Sequence, residues 1–177
     1  MKYSIIPLIP RWITPNMITI LRMVCIPVVL YLLYIENFAV GIPVFLGVAF
    51  TDAIDGSLAR IRRQITDWGT FYDPVADKLL IGSVVLLVVI QHIHLIFGLV
   101  ILFIEALLVI GGYKHKKAGK DVSANVFGKT KMILQVLGVT MLLIAISAGY
   151  DLFMDLSVGT LSLAIVFAII SLLTYGL

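Results

Sequence analysis

The chain has 177 residues, 61% of them hydrophobic, and its 13 Lys and Arg outnumber 10 Asp and Glu for a formal net charge of +3. With a mean hydropathy of +1.12, it is too apolar for a soluble globular domain and has the composition of a bundle of membrane helices. The single cysteine, Cys25, excludes an internal disulfide and reads as a small core hydrophobe.

In chain order, residues 1–14 form a predicted interfacial segment. Pro7 and Pro10 interrupt any continuous apolar helix, which argues against a signal peptide. Arg11 and Trp12 suit the headgroup level, with Trp in the interface and Arg snorkelling. Thr14-Pro15 then reads as the N-cap and first position of a helix. Crossing about 30 Å of hydrocarbon takes roughly 20 helical residues. Six apolar runs approach that length, at about 15–35, 39–60, 70–91, 94–113, 129–148 and 155–175. The expectation is an all-α integral membrane protein, with six transmembrane helices in one domain over residues 15–177. No internal repeat or low-complexity tract is apparent. Gly47 and Gly82 are positions where helices could pack closely.

Threading six helices through a bilayer puts every basic residue on one side. These are Lys2, Arg11, Arg22, Arg60, Arg62, Arg63, Lys78, Lys114, Lys116, Lys117, Lys120, Lys129 and Lys131. The other side carries Glu36, His92, His94, Asp151 and Asp155. The positive-inside rule therefore predicts both termini in the cytoplasm. The net charge follows from orientation and from affinity for anionic headgroups or phosphates. Short, scattered juxtamembrane loops argue against a nucleic-acid partner. The absence of an organelle presequence points to a prokaryotic cytoplasmic membrane.

Where the second and third runs meet, the chain reads Asp52-Ala-Ile-Asp55-Gly56-Ser-Leu-Ala59-Arg60 and then Gly69-Thr-Phe-Tyr-Asp73-Pro-Val-Ala-Asp77. Carboxylates at membrane depth are costly and default to a functional reading. Asp52 and Asp55 (i, i+3) share one helical face, as do Asp73 and Asp77 (i, i+4). The intervening loop lets the two pairs face each other at the cytoplasmic edge, where four like charges repel unless cations hold them. Hard oxygen ligands without Cys or His at ligand spacing favour Mg²⁺ or Mn²⁺. Two such ions about 4 Å apart can bridge a phosphate. Gly56 lets a ligand approach the backbone, Ala59 keeps the same face clear, and Arg60 offers a planar donor fork to a phosphate or base edge. Asp77 is placed to act as a general base towards a substrate hydroxyl. The plainer reading is that these acids only pair with Arg60, Arg62 and Lys78. It leaves the fixed spacing of two acidic pairs unexplained.

Asp52-x-x-Asp55-Gly56-x-x-Ala59-Arg60, eight residues, then Gly69-x-x-x-Asp73-x-x-x-Asp77, resembles the signature of the CDP-alcohol phosphatidyltransferases. The resemblance implies a helical bundle with a polar cavity open to the cytoplasm, usually as a homodimer. It implies two Mg²⁺ or Mn²⁺ ions held by Asp52, Asp55, Asp73 and Asp77, with Asp52, Gly56, Ala59, Arg60 and Gly69 at the CDP moiety of CDP-diacylglycerol. It further implies that Asp77 takes the proton from an acceptor alcohol, whose hydroxyl attacks the lipid-bearing phosphorus as CMP leaves.

Thr14–Arg22, Asp73–Lys78 and Gly128–Gln135 resemble the phosphatidylglycerophosphate synthase and cardiolipin synthase branch. That implies glycerol 3-phosphate as acceptor, with Lys129, Lys131 and Arg22 as candidates for its phosphate. One departure stands out. The branch carries an Arg just before the acid of the fourth run and another a turn or two later. Here Ile104 precedes Glu105, and Gly111 and Gly112 follow. Glu105 reads as a structural partner for Lys131 or Arg22, and Lys114–Lys117 as an orientation signal. The alternatives are another acceptor, such as phosphatidylglycerol or inositol phosphate; an intramembrane prenyltransferase, whose Asp-rich motifs lack the Gly-x-x-Ala-Arg insertion; and an ion or proton transporter, which would place its acids nearer mid-membrane.

Overall fold

The computed structural model describes residues 14–62, 67–117 and 126–175. Over 52–57, 59–62, 67–74 and 113–117, and at 77 and 175, it describes the backbone alone. All regular structure among the described residues is helical: α1 (Pro15–Tyr34), α2 (Phe38–Arg62), α3 (Asp67–Val84), a π-helical turn (Val85–Val89), α4 (Ile90–His92), α5 (Leu95–Lys117), α6 (Val126–Ala148) and α7 (Asp151–Tyr175). Four stretches are long and apolar enough to cross a membrane: Pro15–Tyr34, Leu95–Gly112, Val126–Ala148 and Asp151–Thr174. Phe38–Thr51 and Lys78–His92 are shorter apolar stretches. The chain is an all-helical integral membrane protein. Two compact units divide it between Leu80 and Ile81.

In the first unit, Thr14 caps α1 as its sequence predicts. Its backbone is extended, Pro15 occupies the first turn, and the Thr14 hydroxyl accepts from the Met17 amide at 3.4 Å. The buried face of α1 runs through Ile18, Arg22, Ile26, Val29 and Leu33 at steps of three or four, and α1 packs on α2. The turn between them is a Schellman motif: Asn37 N–H donates to Leu32 O at 3.0 Å and Glu36 N–H to Leu33 O at 3.1 Å. Its left-handed position is held by Glu36 at φ 58°, where glycine is the usual occupant.

The second unit is built around the α6–α7 hairpin, with α5 against α7. Gly149 (φ 70°) closes the hairpin turn, and Asp151 opens α7 where its charge complements the helix dipole. The hairpin is close at Gly138, where an added Cβ would lie 2.7 Å from Leu161 Cγ, and Ser157 Oγ donates to Gly138 O at 2.8 Å. Gly98 serves the same purpose in the α4–α5 turn, since a side chain there would collide with Ile90. The two glycines expected to mediate packing do less: nothing lies within 4 Å of a Cβ at Gly47, and Gly82 makes an ordinary 3.5 Å contact with Leu102.

Candidate functional site

The described buried positions of α2 are Gly41, Phe45, Val48 and Leu58, the first three in a four-three repeat. Continued along the same helix, that repeat falls on 52, 55 and 59. Asp52 and Asp55 therefore occupy the register of the packed seam. On α3 the described buried positions are Ala76, Leu80, Ile81 and Val84, and steps of three or four back from these reach 77 and 73, where the second pair of acids stands. Gly56, Ala59 and Arg60 lie in α2, and Gly69 in the first turn of α3. The side chains of these residues lie outside the described set. Backbone register and donor chemistry are what bear on a metal: all four acids offer hard carboxylate oxygens, the type preferred by Mg²⁺ and Mn²⁺. Among the described residues no grouping of three or more His, Cys, Asp or Glu could hold an ion.

Immediately before Asp52, and one turn before Asp55, stands a described polar contact. Arg22 on α1 is 1% exposed, and its Nε donates to Thr51 Oγ1 at 3.2 Å. Thr51 Oγ1 donates in turn to Val48 O at 2.6 Å. Thr51 carries no motif signature and was not legible as a site residue, because its partner lies 29 residues away on another helix.

The second unit holds its own buried polar cluster. Lys131 Nζ on α6 forms an ion pair with Glu105 Oε1 on α5, and Gln135 Nε2 donates to the same oxygen at 2.8 Å. All three side chains are buried. Glu105 was expected to partner Lys131 or Arg22, and Lys131 is the partner the structure gives it. Glu105 Oε2 is buried without a hydrogen bond among the described residues. Gln135 lies one turn beyond Lys131 on α6, which is the signal that could have singled it out. Lys129 is exposed, while Ile104, at the place of the departure, is buried.

The chain is thus an integral membrane protein, helical in its described regular structure, with two aspartate pairs on successive helices. Its family is specific: the model for CDP-alcohol phosphatidyltransferase matches residues 12–174, and the chain belongs to that family. It is similar to a Rickettsia typhi protein named CDP-diacylglycerol–glycerol-3-phosphate 3-phosphatidyltransferase, with 33% identity over 148 residues, 80% of this chain and 82% of the relative. A protein of the same name from Bacillus subtilis is 32% identical over 147 residues, 73% of this chain and 76% of its own. An Arabidopsis thaliana protein carrying that name with the suffix 2 is 25% identical over 179 residues, 91% of this chain and 77% of its own.

Proposed function

We propose that the chain transfers the phosphatidyl group of CDP-diacylglycerol to a hydroxyl of glycerol 3-phosphate, giving phosphatidylglycerophosphate and CMP. The observation that carries the reading is the aspartate motif on the seam registers of α2 and α3. The names of the Rickettsia and Bacillus relatives favour the acceptor.

Asp52, Asp55, Asp73 and Asp77 would hold two Mg²⁺ or Mn²⁺ ions, and a bound pair supplies charge neutralisation to the phosphates. Asp77 receives the proton of the acceptor hydroxyl. The hydroxyl oxygen bonds to the lipid-bearing phosphorus, the bridging P–O bond to the cytidylate breaks, and the electron pair leaves with CMP. Gly56, Ala59, Arg60 and Gly69 line the CDP site, where small residues admit the nucleotide and Arg60 donates to phosphate or base. Lys129 and Lys131 are the cations offered to the acceptor phosphate. Lys129 is exposed, whereas Lys131 is engaged by Glu105 and Gln135, so a phosphate at Lys131 would share its ammonium. Arg22, the third cation offered to the acceptor phosphate, is buried like Lys131, with its Nε on the Thr51 hydroxyl of α2.

The remaining features of a membrane enzyme of this kind complete the proposal: six spans, a polar cavity and both termini on the cytoplasmic side, a homodimer, and a prokaryotic cytoplasmic membrane. The one-sided basic residues support the orientation. A second acceptor is favoured by a single observation, that apolar Ile104 stands where an arginine is expected.

Purified protein given CDP-diacylglycerol, Mg²⁺ and a panel of alcohols should release CMP with glycerol 3-phosphate, and should stop when the metal is chelated. Turnover that survives chelation removes the metals. CMP release driven by another alcohol and not by glycerol 3-phosphate removes the acceptor.

A further inference from the structure

A guanidinium at 1% exposure within a membrane-spanning stretch is expensive, and residues of this kind are kept for a purpose. The Arg22 contact runs from one helix into the backbone of the next: Nε–H to Thr51 Oγ1, then Thr51 O–H to Val48 C=O. The hydroxyl has a single proton, directed at its own helix, and a lone pair that takes the arginine. α2 cannot turn or slide against α1 without breaking this contact. Asp52 is the next residue, and Asp55 lies one turn along the same face as Thr51, about 6 Å further up the axis.

We propose that Arg22 is a positioning residue for the metal ligands of α2. Through Thr51 it fixes the rotation and height of the helix segment that carries Asp52 and Asp55, and so sets the affinity for the divalent cation; it does not grip the acceptor phosphate. The inference rests on the reading that these aspartates hold metal. Groups that orient metal ligands without touching the ion change affinity about ten- to a hundredfold when removed. A buried guanidinium with its Nε fixed on a neighbouring helix is also poorly placed to meet a water-soluble anion.

The test uses variants that keep the positive charge, so that geometry alone is read. Thr51→Val removes the hydroxyl at nearly constant shape, Arg22→Lys removes the Nε donor, and Thr51→Ser restores a hydroxyl. Direct Mn²⁺ binding to the substrate-free, detergent-solubilised protein is measured by electron paramagnetic resonance. It is compared with the Mg²⁺ dependence of CMP release and the KM for glycerol 3-phosphate. Thr51→Val and Arg22→Lys should each weaken Mn²⁺ binding about tenfold and raise the Mg²⁺ requirement in parallel, with the KM for glycerol 3-phosphate unchanged. The double variant should lose less affinity than the two single losses multiplied, because Thr51 and Arg22 share a contact. Thr51→Ser should bind Mn²⁺ as wild type does, which separates the bond from general damage to the fold. Wild-type Mn²⁺ affinity in Thr51→Val overturns the proposal. So does a raised acceptor KM with unchanged Mn²⁺ affinity in Arg22→Lys, which would place Arg22 on the phosphate. A wild-type protein that binds no Mn²⁺ defeats the metal reading itself, a result distinct from either.

Discussion

The two buried polar clusters differ in their chemistry. In the second unit, Glu105 and Lys131 neutralise each other, and Gln135 adds a third hydrogen-bonding group to the same carboxylate oxygen. In the first, the described contact of Arg22 is to a neutral hydroxyl, beside a helix segment bearing two aspartates. A self-compensating pair can hold helices together and be replaced as a unit. A contact that joins a permanent cation to the start of an acidic motif belongs to the charge balance of that motif. The pair of the second unit can hold its helices together whether or not Lys131 also meets the acceptor, whereas the contact of the first unit adjoins the aspartate motif.

The sharpest way to break that contrast is to substitute within the motif. Asp77→Asn should lower CMP release by about a thousandfold or more, with CDP-diacylglycerol binding largely retained. Resistance to unfolding in detergent should not fall, because the change removes one of four mutually repelling charges. Near-normal CMP release would take the base role away from Asp77. A loss of stability without loss of turnover would make the motif structural and erase the distinction between the clusters.

In the second unit a loss of stability is expected, beside any effect of Lys131 on the KM for the acceptor. Lys131→Met leaves the Glu105 carboxylate buried and unpaired, at a cost of roughly 3–5 kcal/mol. It should appear as a lower unfolding midpoint in detergent. Replacing the cluster together, as Glu105→Leu with Lys131→Met and Gln135→Leu, should recover much of that loss, since apolar groups of similar volume often substitute for a buried pair. If the triple variant is no more stable than Lys131→Met, the cluster is more than a compensated pair. The unpartnered Glu105 Oε2 is then where a further hydrogen-bond donor should be sought.

The same physics decides what could be read from the chain beforehand. Apolar runs long enough to span a bilayer located the helices closely, because membrane helices satisfy their own backbone and need little else. The ends were less legible. α3 begins at Asp67 and α7 at Asp151, since an acid stabilises a first turn that hydropathy discounts. Nothing in the valine-rich stretch before Ile90 announced the π-helical turn, in which the Ile90 amide reaches back to Val85 O. Glu105 with Lys131 was legible because two ionisable groups in an apolar bundle need each other. Thr51 with Arg22 was not, because contact across helices depends on rotation about their axes. Glycine content likewise pointed to Gly47, which meets nothing, and passed over Gly138, where α6 and α7 approach closely.

The smallest expected effect lies away from both clusters, at Glu36. The α1–α2 turn needs a left-handed residue at this position, and both hydrogen bonds of the Schellman motif form around it. A side chain there brings its Cβ close to the following carbonyl, which costs about 1 kcal/mol relative to glycine. Glu36→Gly should therefore raise stability by about that amount, read as a small upward shift of the unfolding midpoint, with CMP release and Mn²⁺ binding unchanged. Such a result would show that the turn joining α1 to α2 is tuned independently of the Arg22–Thr51 contact further along the same helix pair. A gain in stability accompanied by weaker Mn²⁺ binding would mean that the turn and the contact jointly set the height of α2, and the positioning role would then be shared between them.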